Sequence, residues 1–196
     1  MAHRPTVITG RLVLRLFVPE DAAQVQRLAG AREVAATTLT IPHPYPDGAA
    51  EEWIARHAAG WADGSDATFA IVRRSGGALV GGIGLRIAKD QGQAELGYWI
   101  GVPHWNQGYC TEAAAAVLRY GFDELGLRRI HASHYSNNPA SGRVMLKIGM
   151  KHEGRRRSHV LKWGEVLDLE EYGILADEWR LRLPELRSEP DADLRA

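Results

Sequence analysis

Leu12, Leu14 and Leu16 alternate with Arg11, Val13 and Arg15. That period of two predicts a strand from Val7 to Phe17 with one buried face. Pro19, Glu20 and Asp21 then open a helix that runs to about Gly30, because proline suits the first turn and acids suit the positive helix end. The stretch Ile41-Pro42-His43-Pro44-Tyr45-Pro46 predicts an ordered loop, since its three prolines remove the donors that a ladder needs. Trp53, Ile54, His57 and Trp61 recur at helical spacing and predict a helix from Ala49 to about Trp61.

A strand-rich middle follows. Ala67–Arg74 and Ala78–Ile87 flank a Ser75-Gly76-Gly77 turn and predict an antiparallel hairpin. After the polar Lys89–Gln93 turn, Ala94–Ile100 supplies a third strand. The second half alternates types. Thr111–Leu125 is a helix ended near Gly126, Arg129–Tyr135 a strand, and Pro139–Ile148 a helix stopped by Gly149. Met150–Lys162 and Glu165–Leu175 close the chain as a hairpin around Trp163-Gly164. The polar run from Ser188 is expected to fray. With no internal repeat and no linker, the chain reads as one α+β domain with a mixed, mostly antiparallel sheet and two strand–helix crossovers.

Composition narrows the function classes. The 196 residues are 45% hydrophobic, enough to build a sizeable core. Twenty-four Lys and Arg balance twenty-four Asp and Glu, which speaks against dedicated nucleic-acid binding, so no direct DNA partner is expected. No uncharged apolar run approaches the roughly 18 residues of a membrane span. The start, Met1 to Pro5, lacks the apolar core of a signal peptide, so a cytoplasmic location is expected. The single Cys110 excludes an internal disulfide and a cysteine-based metal centre, and no metal is expected. His131 and His134, three apart on a strand, face opposite ways and cannot chelate one ion.

The segment Trp105-Asn106-Gln107-Gly108-Tyr109-Cys110-Thr111-Glu112-Ala113 carries the chemistry. It joins a strand to a helix start. Backbone N–H groups exposed there, with the helix dipole behind them, make a nest for a pyrophosphate. Gly108 permits close approach or positive φ. The phosphate-loop pattern G-x-x-x-x-G-K-[ST] is absent, and Gly82-Ile83-Gly84 lacks the third glycine and following helix of a dinucleotide fingerprint.

The order of several separated motifs resembles the GNAT acetyltransferases, in their RimJ/RimL-like branch. Arg11-Leu12-Val13-Leu14-Arg15 looks like the opening strand. Glu95-Leu96-Gly97-Tyr98-Trp99-Ile100 looks like the fourth strand, and Trp105–Ala113 like the pyrophosphate loop and its helix. Asn138-Pro139-Ala140-Ser141, followed by Lys147-Ile148-Gly149-Met150, resembles the Asn-x-x-Ser helix. The likeness spans roughly residues 8–180. Two departures stand in the loop: Cys110 takes the place of Gly or Ala, and Asn106 that of a common glycine.

The resemblance implies a GNAT fold whose sheet splays between two strands, and direct acetyl transfer from acetyl-CoA to a primary amine. By that analogy, backbone groups of Ile100 and Val102 hold the pantetheine and polarise the thioester. Those of Gln107, Gly108, Tyr109, Cys110 and Thr111 hold the pyrophosphate, and Asn138 contacts the pantetheine arm. Glu95 is the first choice for the base, with Asp168 and Glu170 as alternatives. Ser141 either protonates the departing thiolate or caps its helix, and the two roles are compatible. Cys110 reads as packing rather than as a nucleophile, because direct transfer needs no enzyme thiol. His43 and Tyr45 border the acceptor side, whereas Trp53 and Trp61 read as core. Arg155-Arg156-Arg157 reads as a solvated strand. The acceptor expected from the branch is a protein or peptide N-terminal α-amine; a small-molecule amine (polyamine or antibiotic) is the alternative, and a non-catalytic CoA-binding module the rival from another class. The resemblance also leaves room for a homodimer.

Overall fold

Thr9 divides the first expected strand. Its hydroxyl accepts the Leu12 N–H at 3.0 Å, and its own N–H donates to the Leu12 carbonyl at 2.9 Å. This local bonding competes with a continuous ladder. The single strand from Val7 to Phe17 is therefore corrected to a hairpin of β1 (Val7–Ile8) and β2 (Leu12–Arg15), with Val7 opposite Leu14. The computed structural model describes residues 5–186, so the polar run from Ser188 lies outside the described residues.

The remaining elements follow the expected order closely. They are α1 (Ala22–Ala29), a short α2 (Arg32–Ala35), α3 (Ala49–Asp63), β3 (Asp66–Arg73), β4 (Leu79–Ala88) and β5 (Gln93–Ile100). Then come α4 (Tyr109–Arg119), β6 (Arg129–Tyr135), α5 (Pro139–Lys147), β7 (Lys151–Lys162), β8 (Glu165–Leu175) and α6 (Ala176–Leu186). Helix α4 runs into a π turn over Tyr120–Glu124, which ends before Gly126 at φ 63°. Neither α2 nor α6 was expected. Trp179 anchors α6 by stacking on Phe122 at 5.8 Å and is fully buried.

Eight strands form one sheet in the order β1-β2-β3-β4-β5-β6-β8-β7. All neighbours are antiparallel except β5 and β6, which α4 joins as a parallel pair. The second strand–helix unit reaches past its neighbour: β8 inserts between β6 and β7, pairing antiparallel with both.

Helices cover both faces, which is why the central strands read as nearly continuous apolar runs. Phe69, Ile71, Ile83, Leu85 and Leu96 pack with Ala113, Val117 and Leu118 of α4 in the larger core. Ala70, Val72 and Trp99 point the other way, against Val25 and Leu28 of α1 and Ile54 of α3. Arg15 on β2 ties this second face down. Its guanidinium donates to both Asp21 carboxylate oxygens at 2.7 and 2.8 Å, while Asp21 also accepts the Val18 N–H at 3.0 Å.

Candidate active site

Strands β5 and β6 pair only over Gln93–Glu95 and Arg129–His131. Beyond that they diverge. Gly101 donates its N–H to the Val80 carbonyl on β4 at 2.9 Å. Strand alternation then turns the main-chain N–H and C=O of Tyr98 and Ile100 to the opposite edge, where no strand meets them among the described residues. The opening is continuous with a cleft of about 1410 Å³, lined by Glu95, Tyr98, Ile100, Trp105, Gly108–Thr111, Asn138 and Ser141 among others. The Ile100 carbonyl accepts the Trp105 indole N–H at 2.7 Å, so part of that edge is already used.

The start of α4 lies beside this opening. Gly108 takes φ 78° and the helix has no side-chain cap, so the first-turn amides of Tyr109, Cys110 and Thr111 lack intrahelical acceptors. Asn106 takes φ 58°, the conformation for which a glycine is ordinarily the better residue. Unpaired donors with the positive helix end behind them suit a pyrophosphate. The loop therefore fits coenzyme A, with main-chain amides rather than side chains as ligands. The Tyr109 ring is buried in the core under the Arg11 guanidinium, 4.9 Å from the ring centroid. Gln107 turns its amide to the Pro103 carbonyl at 3.0 Å, and Val102 accepts the Trp105 N–H and packs into the smaller core. Neither Gln107 nor Val102 lines the cleft.

Opposite the loop, Asn138 caps α5: its Oδ1 accepts the Ser141 N–H at 3.3 Å, leaving the amide nitrogen for another partner. The Ser141 hydroxyl lies 2.8 Å from the Tyr98 hydroxyl, which also donates to the Ser141 carbonyl at 3.2 Å. Burial pushes the Tyr98 phenol far above its ordinary pKa, so it stays protonated. Cys110 lines the same corner, and burial pushes its thiol up to about 12 despite the helix start. That matches a packing role. Behind them His134 donates Nδ1–H to the Tyr135 carbonyl at 2.8 Å, while its buried Nε2 has no partner among the described residues.

The other face of β5 forms the second half of the cleft. Glu95 accepts from Arg86 Nη1 at 3.1 Å, with 39% of its side chain exposed. Asp66, Arg86 and Glu95 stand in register across β3, β4 and β5. In the next row Thr68, Gly84 and Gly97 make a low floor, and a Cβ at Gly97 would meet nothing within 4 Å. Tyr45, Trp53 and His57 form a wall. Trp53 meets His57 edge-on at 4.3 Å, and burial lowers the His57 pKa, favouring the neutral ring.

Several sequence candidates stand apart from this centre. His43 is exposed, with Nδ1–H donating to the Gly30 carbonyl at 3.0 Å, and does not line the cleft. Asp168 and Glu170 on β8 are engaged by Arg155, Glu170 also by His152, and neither lines the cleft. Arg156 pairs with Glu171, so two of the three consecutive arginines complete cross-strand ion pairs. Sequence reasoning missed Tyr98, Trp53 and His57 as cleft residues. The alternation of β5 separates Tyr98 from Glu95 but cannot say that α5 returns to meet it.

A parallel pair that opens beside an uncapped helix start offers room for an extended ligand arm next to a main-chain anion site. A family model described as an acetyltransferase (GNAT) domain matches residues 11–151, and the chain belongs to that family. It is 32% identical to the uncharacterized N-acetyltransferase YoaA of Bacillus subtilis, over 87% of this chain and 97% of that protein. It is 34% identical to B. subtilis YdaF, named provisionally as a ribosomal N-acetyltransferase, over 53% of this chain and 57% of YdaF. Among solved structures, a GNAT-family acetyltransferase from Bacillus anthracis superposes with a TM-score of 0.78 at 27% identity, covering 88% of this chain and 99% of that one. The spermidine N-acetyltransferase of Vibrio cholerae, in complex with CoA and spermine, shares the fold at a TM-score of 0.75 and 20% identity, over 86% and 98% of the two chains. Among the described residues no helix is long and apolar enough to cross a membrane.

Proposed function

We propose that this acetyltransferase moves the acetyl group of acetyl-CoA directly onto a peptide N-terminal α-amine. The observation that carries the coenzyme half is the strand opening after Glu95 and His131, set against the uncapped start of α4. Acetyl-CoA supplies an activated thioester. The amides of 108–111 hold its pyrophosphate, the Asn138 side chain contacts the pantetheine, and the main-chain N–H groups on the open edge at Tyr98 and Ile100 polarise the carbonyl. Glu95 takes the proton of the incoming ammonium, directly or through one water. The amine nitrogen bonds to the acetyl carbon as the C–S bond breaks; the second proton that the nitrogen then sheds goes to the departing thiolate through the Ser141 hydroxyl, which leaves the N-acetyl product and the free CoA thiol. An α-amine, with a pKa of about 7.7–8.0 against about 10.4 for lysine, asks little of that base.

The walls favour a peptide over a polycation. The cleft is lined by Glu52, Asp66 and Glu95 but also by Arg56, Arg86, Arg143 and Lys147, so acidic groups do not predominate. Exposed Leu39 and Leu161 line it too, a surface suited to apolar residues behind an α-amine. The name given to YdaF supports the same reading, while the spermidine enzymes share only the fold with this chain. Intact Gly108, Asn138 and Ser141 argue against a non-catalytic module.

Thermal unfolding with and without acetyl-CoA, beside adenosine diphosphate, tests the coenzyme. At 100 times its dissociation constant acetyl-CoA should stabilise the fold by about 2.7 kcal/mol. Turnover on short peptides with free N-termini, compared with spermidine and with N-blocked peptides, tests the acceptor. Faster turnover on spermidine would overturn the peptide assignment.

A further inference from the structure

One arginine joins the N-terminal hairpin to the coenzyme loop. Arg11 Nε donates to Glu112 Oε2 at 2.7 Å, and the Arg11 main-chain N–H donates to Glu112 Oε1 at 2.8 Å. Thr9 adds its hydroxyl to the same Oε1 at 2.6 Å. Arg11 Nη1 donates to the Gln107 carbonyl at 2.9 Å, and a Cβ on Gly108 would come within 3.3 Å of Nη2. The guanidinium thus grips residues 107–112 from one side while lying over the Tyr109 ring.

Glu112 makes this grip consequential. It stands in the first turn of α4 with a side chain only 19% exposed. A carboxylate there suits the helix dipole, yet it also opposes a second anion at the same helix end. The Gln107 carbonyl is an acceptor beside the nest and would repel a phosphate if it turned inward. Arg11 cancels the first charge and holds the second dipole outward.

We propose that Arg11 is a positioning residue for coenzyme A: by pairing with Glu112 and holding the Gln107 carbonyl, it leaves the amides of 108–111 as an uncompensated donor set for the pyrophosphate. The proposal rests on the acetyl-CoA reading above. Arg11 touches no reacting atom, so its loss weakens coenzyme binding without slowing the bound enzyme. The paired carboxylate is the signature of the mechanism, because removing it repairs much of the damage.

Calorimetric titration with coenzyme A of the wild type, Arg11→Met and Arg11→Met/Glu112→Gln tests this. Arg11→Met should raise the dissociation constant about tenfold, the weight of one charge-assisted interaction. The double variant should recover most of that loss, and kcat at saturating acetyl-CoA should stay within about twofold, as expected when only ground-state coenzyme binding is lost. Wild-type affinity in Arg11→Met, or no recovery in the double variant, overturns the proposal. If Arg11→Met melts without ligand at the assay temperature, Arg11→Lys replaces it. That variant keeps the charge and loses the fork, so it should bind severalfold more weakly, and unchanged affinity overturns the hold on Gln107. A wild type that binds no coenzyme A removes the acetyl-CoA reading itself, an outcome distinct from a wild type that binds and an Arg11 variant that binds equally well.

Discussion

The hydroxyls of Tyr98 on β5 and Ser141 on α5 meet at 2.8 Å, at the point where the sheet opens. Burial keeps the phenol protonated, and when its one proton is given to the Ser141 hydroxyl the Ser141 proton is left to point at a sulfur. Ser141→Ala should lower kcat about tenfold or more while the KM for acetyl-CoA changes little, if the hydroxyl acts on the departing thiolate as proposed. Tyr98→Phe should lower kcat severalfold and stability by about 1 kcal/mol. The alkaline limb of its pH–rate profile should not move, because the phenol does not titrate there. A shifted limb would reassign Tyr98 as a titrating acid.

Glu95 shares its carboxylate with Arg86 across the β4–β5 ladder. Glu95→Gln removes the proposed proton acceptor but keeps the shape. Turnover should fall by about a hundredfold or more near pH 7, with the thermal shift by acetyl-CoA retained. Unchanged turnover from pH 6 to 9 would exclude Glu95 as the base.

The floor at Gly97 is open, and among the described residues no neighbour lies within 4 Å of an added Cβ. Gly97→Val should therefore fold and bind coenzyme A, yet fill the space proposed for the acceptor. Steady-state kinetics should show a raised acceptor KM; a lowered coenzyme affinity instead would place the acceptor elsewhere.

Cys110 sits in the first turn of α4, where the dipole favours a thiolate, but burial prevails and pushes the thiol up to about 12. Alkylation by iodoacetamide at pH 8 should be slow in the folded protein. Cys110→Ala should retain activity within a few-fold, and loss of activity with retained coenzyme binding would reopen a covalent route.

Asp21 is almost fully buried, and burial alone would raise its pKa. The Arg15 guanidinium and the Val18 N–H outweigh that and hold the carboxyl below its ordinary range. A depressed native pKa contributes stability that is fully present above the unfolded value of about 3.9 and is lost as pH falls through the native value. Asp21→Asn should cost about 3 kcal/mol at pH 7, since it leaves Arg15 without its partner. Chemical denaturation should show that difference narrowing below pH 4.

Much of the fold is legible locally. Strand-type runs bounded by turn residues locate β3, β4, β5, β6 and the closing hairpin, and the turns at Gly76-Gly77 and Trp163-Gly164 follow from their residues. Trp105–Ala113 is recognisable too, because a strand, a glycine and a helix start are adjacent in the chain. The short β1–β2 turn escapes such reading, since one threonine hydroxyl decides it against an unbroken apolar pattern.

By itself the amino-acid sequence determined the types and order of most elements and the strand–loop–helix junction before α4. Each depends on residues within a turn or two of one another. Tertiary structure alone decided that Tyr98 meets Ser141 across 43 residues, that Arg11 grips Glu112 across 101, and that β8 lies between β6 and β7. Those pairings come from how the sheet twists open and which helix returns to its edge. Their free energy comes from burial and charge shared between distant segments, which no local periodicity records.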